Sequence, residues 1–468
     1  MFRVLAAMHR TGFLGRYIPE FGATFCQAQH NRAHLYTVDV HCLYVVRELE
    51  RLGLEEVVAD APEAARAWAA APTRGPLLLA GLLHDIAKSH GAAHSRVGAE
   101  MVPRILGRLG YDDASIERTQ WLVRYHLVLS DTAYHRDLQD PGTHASLRAI
   151  VGNRERLDDL MALTWADSRA TNPDGFTSWR QGLLADAYRT ALAVVEPGRE
   201  EDEPARREQT LVRVEALLGA EVGRRRAPLV LARLVDGAAA DRPAYFETTP
   251  PETLASHAVL LDRLESGETF PSHARLPRRA GASEWTVAAR DRRGLLSLLS
   301  GGLAAAGLSI VGAETHTRGD GTCVDTFRVV DGRGRPVEPS RWRRVEQTLE
   351  RVHRGDADLV ELVTRALRSA QPAAEAGAVD QQRVEVRDDL SDSATVVEVV
   401  VQDRPGLVWD LARALTDFGL DLRVAKIATR MDLASDTFYV VDADGEPLDE
   451  DARGRLSSLL RTHFLPGE

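Results

Sequence analysis

Residues 76–88 read PLLLAGLLHDIAK, and the fold hangs on that stretch. Its first eight residues are apolar all round, which predicts a helix over 76–87 buried on every side. Into it the chain places His84 and Asp85 side by side. Burying an imidazole beside a carboxylate costs on the order of several kcal/mol unless the two are hydrogen-bonded, paired or metal-bound. Alone, such a pair reads most simply as a hydrogen-bonded core histidine next to a capping aspartate. It has company, however. His41 lies among Val38, Val45 and Val46 on an earlier helical stretch, 38–49. Asp167 lies four residues after Leu163 and seven after Leu160, on the apolar face of a later one, 157–170. A divalent cation at the centre of a helical bundle would satisfy all four polar groups at once.

Outward from this core, residues 25–195 read as helix after helix, including 115–129, with no alternating run typical of strands. Residues 1–24 read as a lead-in helix. From Glu196 the segment PGREEDEPARREQ is dense in charge, and one or two amphipathic helices around 210–234 follow. Turns and a short helix complete a connector over 196–281. After Ser283 the period switches to strands, and the chain repeats itself. Asp291-Arg-Arg-Gly-Leu matches Asp403-Arg-Pro-Gly-Leu, 112 residues on, and Asp325-Thr-Phe matches Asp436-Thr-Phe, 111 residues on. Each copy reads strand, glycine turn, amphipathic helix, strand, strand, helix. That order predicts two βαββαβ ferredoxin-like units, 282–390 and 393–468. The segment RVEVRD (383–388) is expected to complete the sheet of the first copy, while the second copy is expected to lack that strand.

Composition narrows the classes. The chain has 468 residues, 44% hydrophobic and 27% charged, enough apolar content for several cores and too much for wholesale disorder. A net charge of −11 disfavours nucleic-acid binding, which needs many cationic contacts to phosphate. Tyr111, Trp179 and the run Arg224, Arg225 and Arg226 accordingly read as surface or packing features. No apolar run reaches membrane-spanning length, and the first residues lack the pattern of a secretory signal. Cys26, Cys42 and Cys323 stand far apart, which points to a reducing, cytoplasmic setting without disulfides or a thiolate zinc site. Nine of the fifteen histidines fall between His30 and His144, a concentration that hints at metal or acid–base chemistry.

The ordered set His41, His84-Asp85 and Asp167 resembles the H…HD…D pattern of the HD superfamily of metal-dependent phosphohydrolases. His94 in HSRVGAE and His126 in WLVRYHLVLSD fit its dinuclear branch. That resemblance implies an all-helical HD domain in which Asp85 bridges two metals, His41, His84 and Asp167 holding one and His94 and His126 the other. An oxygen- and imidazole-rich set suits Mn²⁺, Mg²⁺, Fe²⁺ or Zn²⁺ without choosing among them; one or two ions are expected, Mn²⁺ or Mg²⁺ first and Fe²⁺ or Zn²⁺ second. The stretches HLYTVDVH, LLHDIAK, RDLQDPGT and LTWADSRATNPDGFTSW closely resemble the HD domain of the bifunctional uridylyltransferase/uridylyl-removing family. The DRxGL repeats resemble that family's tandem ACT domains. The family's nucleotidyltransferase domain would precede residue 1, so the chain is expected to be the uridylyl-removing and sensory portion, without transferase activity.

The implied reaction is hydrolysis of a phosphodiester, releasing UMP from the uridylylated tyrosine of the PII signal protein. Asp85 and Lys88 are the implied catalytic residues, and Lys88, Arg169 and Asn172 the implied contacts to phosphate or nucleotide. The family often carries Gly and Asp where this chain has Ser89 and Ala93, which puts the surroundings of the second metal in doubt. The implied effector is glutamine, bound at Asp291, Gly294 and Leu295 and at Asp403, Gly406 and Leu407. There glycine lets backbone amides approach a carboxylate at a helix N-terminus, and the aspartates could receive an ammonium group. Arg293 replaces Pro405 in the first loop, so the two sites need not be equivalent. Neither nucleic acid nor membrane is an expected partner, and self-association through the ACT units is compatible with the resemblance. Two other readings fit the motifs less fully: an HD hydrolase of a free nucleotide such as (p)ppGpp, and a non-catalytic amino-acid sensor.

Overall fold

Leu157 to Ala166 are buried almost without exception, because this helix is wrapped by others on all sides. In the computed structural model, which describes residues 1–27, 35–173, 175–196, 203–236, 245–246, 249–276, 281–315, 317–369, 382–430 and 433–465, that helix is the hub of the first compact unit. The chain forms two such units, Met1–Tyr134 with His144–Pro197 and His135–Thr143 with Gly198–Glu468. The charge-dense segment at 197–202 and the C-terminal residues 466–468 lie outside the described residues.

The first unit is helical throughout its described residues. It opens with α1 (Phe2–Arg10), α2 (Phe13–Tyr17) and α3 (Pro19–Gly22). The single lead-in helix expected over 1–24 is thus broken, by Gly12 at φ 71° and by Pro19. Next come α4 (Val38–Arg51), α5 (Glu55–Asp60), α6 (Pro62–Ala70), α7 (Gly75–Leu83), α8 (His94–Arg108) and α9 (Asp113–Tyr125). The series ends with α10 (Val128–His135), α11 (Pro141–Val151), α12 (Arg154–Thr171) and α13 (Ser178–Val195). Side-chain oxygens cap three of them: Asp112 accepts from Ser115 N–H, Asn153 from Arg156 N–H and Thr177 from Arg180 N–H. Helix α12 packs on α4, α6, α7, α9 and α13. The helix expected over 76–87 ends early, at Leu83. Residues 84–87 continue as tight turns, and Gly91, at φ 58°, redirects the chain into α8. His84 and Asp85 therefore sit at a helix end, where a carboxylate has room to turn two ways.

The second unit is built on one antiparallel sheet of eight strands in the order β1-β2-β4-β3-β7-β8-β6-β5. Helices α14 (Glu203–Leu218), α15 (Ala227–Asp236) and α16 (Pro251–Glu265) precede it. The first copy comprises β1 (Ser272–Arg275), β2 (Ser283–Arg290), α17 (Leu295–Ala305), β3 (Leu308–Glu314), β4 (Thr322–Asp331) and α18 (Pro339–His353). Helix α19 (Leu359–Ser369) links it to the second, which comprises β5 (Arg383–Arg387), β6 (Thr395–Gln402), α20 (Leu407–Asp417), β7 (Asp421–Arg430), β8 (Leu433–Val441) and α21 (Glu450–Phe464). This is consistent with two ACT domains. One expectation is corrected. The strand at 383–387 pairs with β6 of the second copy and not with the first, whose own edge strand is β1, just ahead of it. Each copy thus begins with the short strand that a βαββαβ unit places last.

The copies join where β3 and β7 run antiparallel, Ala313 opposite Ile427. A shared core of Leu299, Leu303, Val345, Leu349, Leu411, Leu456 and Leu460 packs the helices on one face of the sheet. Leu254, Leu261 and Val230 of the connector helices share another core with Ala288 and Val324 on β2 and β4. The connector is therefore a third layer over the first copy.

Arg118 on α9 grips Asp159 on α12 through two hydrogen bonds, at 2.6 and 2.7 Å, and Asp159 is buried. The pair fixes the two helices that carry His126 and Asp167. Arg118→Met leaves the Asp159 carboxylate buried alone and should cost roughly 3–5 kcal/mol in urea denaturation. Adding Asp159→Leu should recover most of that loss. A single variant as stable as the parent would remove the pair from the account.

Candidate metal centre

Helix α4 delivers His41, the end of α7 delivers His84, and the turn after it delivers Asp85. His94 is the first residue of α8, His126 follows directly on α9, and Asp167 lies in the last turns of α12. The structure brings these six into two adjoining trios, His41, His84 and Asp167, and Asp85, His94 and His126. Within each trio the ligand atoms lie within 4.8 Å of one another. In the first, His41 Nε2 is 3.2 Å from His84 Nε2 and 3.0 Å from Asp167 Oδ1. Asp85 faces both ways. Its Oδ2 lies 3.6 Å from His84 Nε2, while its Oδ1 lies 3.3 Å from His94 Nε2 and 3.9 Å from His126 Nε2.

Three imidazoles are oriented by the same device. The Nδ1–H groups of His84, His94 and His126 donate to the carbonyls of Gly81, Gly91 and Val123, each three residues back, at 3.0, 2.8 and 2.8 Å. This fixes the tautomer and leaves each Nε2 lone pair aimed at the shared space. The Nε2 atoms of His94 and His126 are buried with no hydrogen-bond partner. A buried polar atom left without a partner is rare, and two such lone pairs converging beside a carboxylate are what a divalent cation requires. The residues fit such an ion.

The electrostatics agree with the geometry. Burial holds the His84 imidazole below its ordinary range, and burial together with the nearby His84 pushes His126 down to about 3, so both stay neutral. Burial alone would raise Asp85, but His84, Lys88, His94 and His126 overcome it and hold the carboxyl well below the usual range. Asp167 is likewise depressed, burial being outweighed by the His41 hydrogen bond and His84. Neutral imidazoles and ionised carboxylates are the forms that bind metals. Cys42, next to His41, is pushed the other way by burial and then by Asp85 and Asp167, and remains a thiol.

The other expected residues lie as follows. Lys88 Nζ bonds Asp85 at 3.0 Å and is partly exposed. Arg169 donates to the Pro173 carbonyl and Asn172 Oδ1 accepts from Gly175 N–H, so both engage the turn that follows α12. Ala93, at the start of α8, supplies no side-chain cap, and Gly91 O holds His94 instead. One contributor escaped sequence reasoning. Asp39, two residues before His41, is buried with Oδ2 3.1 Å from His9 Nε2, tying α1 to α4; an acid two residues before a ligand histidine was its only signal.

Asp291, Gly294 and Leu295 line a small open cleft in the second unit. Asp421 and Arg423 of the second copy complete its wall. Asp403, Gly406 and Leu407 do not line it. Beside their loop, Asp436 is fully buried and accepts from Ala428 N–H through Oδ1 only. Burial, then the charge of Asp403, push its carboxyl up to about 8.

The HD domain family matches residues 38–172. A bifunctional uridylyltransferase/uridylyl-removing enzyme of Azospirillum brasilense is 35% identical over 94% of this chain and 47% of its own length. Enzymes of the same name from Novosphingobium aromaticivorans and Phenylobacterium zucineum are 36% and 35% identical, over 96% and 100% of this chain and 48% and 49% of theirs. The chain spans about half the length of the curated relatives it matches. Among the described residues no helix is long and apolar enough to cross a membrane.

The Asp436 carboxyl supplies a pH signature. Folded, it keeps its proton up to about pH 8; unfolded, it releases it near about 3.9. Between those values the folded state binds more protons, so stability falls as pH rises through that window. Asp436→Asn should flatten the decline and retain about 1 kcal/mol or more of stability over the parent at about pH 8.5, measured by denaturation across the range. Parallel profiles would contradict the assignment.

Proposed function

We propose that the chain is a metal-dependent phosphodiester hydrolase that removes UMP from the uridylylated tyrosine of PII and answers to glutamine through its paired ACT units. The observation that carries this reading is the convergence of six ligand side chains in two trios, with Asp85 facing both, inside the segment that matches the HD domain. The relatives' name supplies the uridylyl-removing chemistry.

His41, His84 and Asp167 would hold one divalent cation and His94 and His126 a second, with Asp85 shared between them; Mn²⁺ or Mg²⁺ is the proposed ion, and the four imidazoles also accept Fe²⁺ or Zn²⁺. Such cations, when bound, supply positive charge against phosphoryl oxygens and bring the pKa of water toward neutrality. The protein's part is to fix the ligands before substrate arrives. The three backbone carbonyls hold the histidine rings, and the depressed carboxyls stay ionised throughout the physiological range. Lys88 places an ammonium next to Asp85, partly open to solvent, where a non-bridging phosphoryl oxygen could replace one of its present partners. In the net reaction a water oxygen bonds to phosphorus as the bond to the tyrosyl oxygen breaks. UMP leaves, and the tyrosine regains its hydroxyl proton. Arg169 and Asn172, on the turn beyond Asp167, are the proposed nucleotide contacts.

Incubation of the Mn²⁺-loaded chain with uridylylated PII should release UMP, faster with glutamine present. A chelator should stop the reaction and added Mn²⁺ restore it. No release with Mn²⁺ or Mg²⁺ overturns the reading, and cleavage of (p)ppGpp alone transfers it to a free-nucleotide hydrolase. Asp85→Ala should lower turnover by more than about 100-fold with helical circular dichroism retained. Lys88→Met should cost roughly 10–1,000-fold in kcat while metal content holds; undiminished turnover in either variant contradicts the assigned role.

A further inference from the structure

A fourth histidine is held as three of the ligand histidines are, yet it belongs to neither trio. His90 lies between Asp85 and His94, in the short 3₁₀ turn Lys88–Ala93. Its Nδ1 is 3.2 Å from the carbonyl of Ala87, three residues back, and 3.3 Å from Ser89 Oγ. A carbonyl only accepts, so Nδ1 carries the hydrogen and Nε2 is left as the working atom, as in His84, His94 and His126. Unlike those three rings, His90 is exposed. The trios of candidate ligands do not include it. A backbone device that orients metal-binding imidazoles is thus repeated on a ring open to solvent.

The turn stands at the entrance of the metal centre. Its two ends meet there: Lys88 bonds Asp85, and the Gly91 carbonyl holds the His94 ring, with Asp85 Oδ1 and His94 Nε2 3.3 Å apart. The side chains of Asp85 and the four ligand histidines are at most 8% exposed, whereas those of Asp167 and Lys88 are 21% and 24% exposed. A substrate therefore approaches on the side of Asp167 and Lys88, and His90 follows Lys88 by two residues.

The proposed reaction needs a proton that none of the residues assigned above gives. A tyrosyl oxygen departs as a phenoxide, the conjugate base of an acid of pKa about 10, and a proton delivered in the transition state eases that departure. Imidazolium is the side-chain acid ordinarily at hand near neutral pH. Resting on the hydrolase reading above, we infer that His90 is the acid that protonates the departing tyrosyl oxygen. A water oxygen bonds to phosphorus and the bond from phosphorus to the tyrosyl oxygen breaks. The electron pair of that bond stays on the tyrosyl oxygen, which takes the proton from His90 Nε2. The neutral ring then regains a proton from solvent, into which the attacking water has released its own. Ala87 O holds the Nδ1 hydrogen in place throughout, so that only Nε2 exchanges.

Three substrates of the Mn²⁺-loaded full chain test this: uridylylated PII, the phenyl ester of UMP and the p-nitrophenyl ester of UMP. The first two lose a phenol that needs a proton, and the third loses an anion that is stable without one. His90→Gln should lower kcat about 100-fold on the first two and less than about threefold on the third. Its manganese content and thermal unfolding should match the parent's. Imidazole in the buffer should restore part of the lost turnover of His90→Ala on uridylylated PII, since the position is open to solvent. Equal losses on all three substrates, no loss on any, or no rescue by imidazole overturns the role of His90 and leaves the hydrolase reading in place. A loss confined to uridylylated PII makes His90 a docking residue and likewise overturns the proton transfer. Inactivity of the parent chain on all three overturns both.

Discussion

The first unit is organised by the need to satisfy one buried carboxylate. Asp85 is almost fully enclosed, and an isolated ionised carboxylate in such surroundings would shed its charge instead of keeping it. Here the Lys88 ammonium pairs with it at 3.0 Å, and His84, His94 and His126 converge on it from three different segments. Every nearby feature serves that convergence. Helix α7 ends at Leu83 so that Asp85 can turn, Gly91 redirects the chain so that His94 returns, and Arg118 locks α9 to α12. The histidines are neutral and held from behind by backbone carbonyls, an arrangement that has little value for stability alone and much for holding a cation.

The second unit makes a different use of duplication. Two copies of one motif share a continuous sheet, and this gives each loop the opposite copy as its wall. Similar loops then meet unlike surroundings, because α19 lies over one loop and not the other. Beside the second loop Asp436 is buried and its carboxyl keeps its proton, whereas Asp421 and Arg423 line the cleft at the first. The connector helices, by covering Ala288 and Val324, bury the outer face that a lone sheet of this kind would leave exposed.

Much of this was legible in the sequence, and the reasons are specific. His41, His84, Asp85 and Asp167 could be picked out because polar residues on apolar helix faces are conspicuous, and the structure does bring them together. The end of α7 was missed because His84 keeps helical backbone angles and the amides of Ile86 and Lys88 then turn to carbonyls three residues back, a change that periodicity does not register. RVEVRD was assigned to the wrong copy because it follows the first in the chain, whereas the pairing is set by the strand after it. Asp421 and Arg423 gave no local signal, since they reach the first loop only once β7 lies beside the other copy. Asp39 had only its spacing from His41 to mark it.

The central claim, that Asp85 lies between two cation positions, is tested most directly by anomalous diffraction from crystals grown with Mn²⁺. The account predicts two peaks, one among His41, His84 and Asp167 and one between His94 and His126, each at about 2.0–2.3 Å from its ligand atoms and both contacting Asp85. No peak, or a peak that leaves Asp85 uncoordinated, would contradict it.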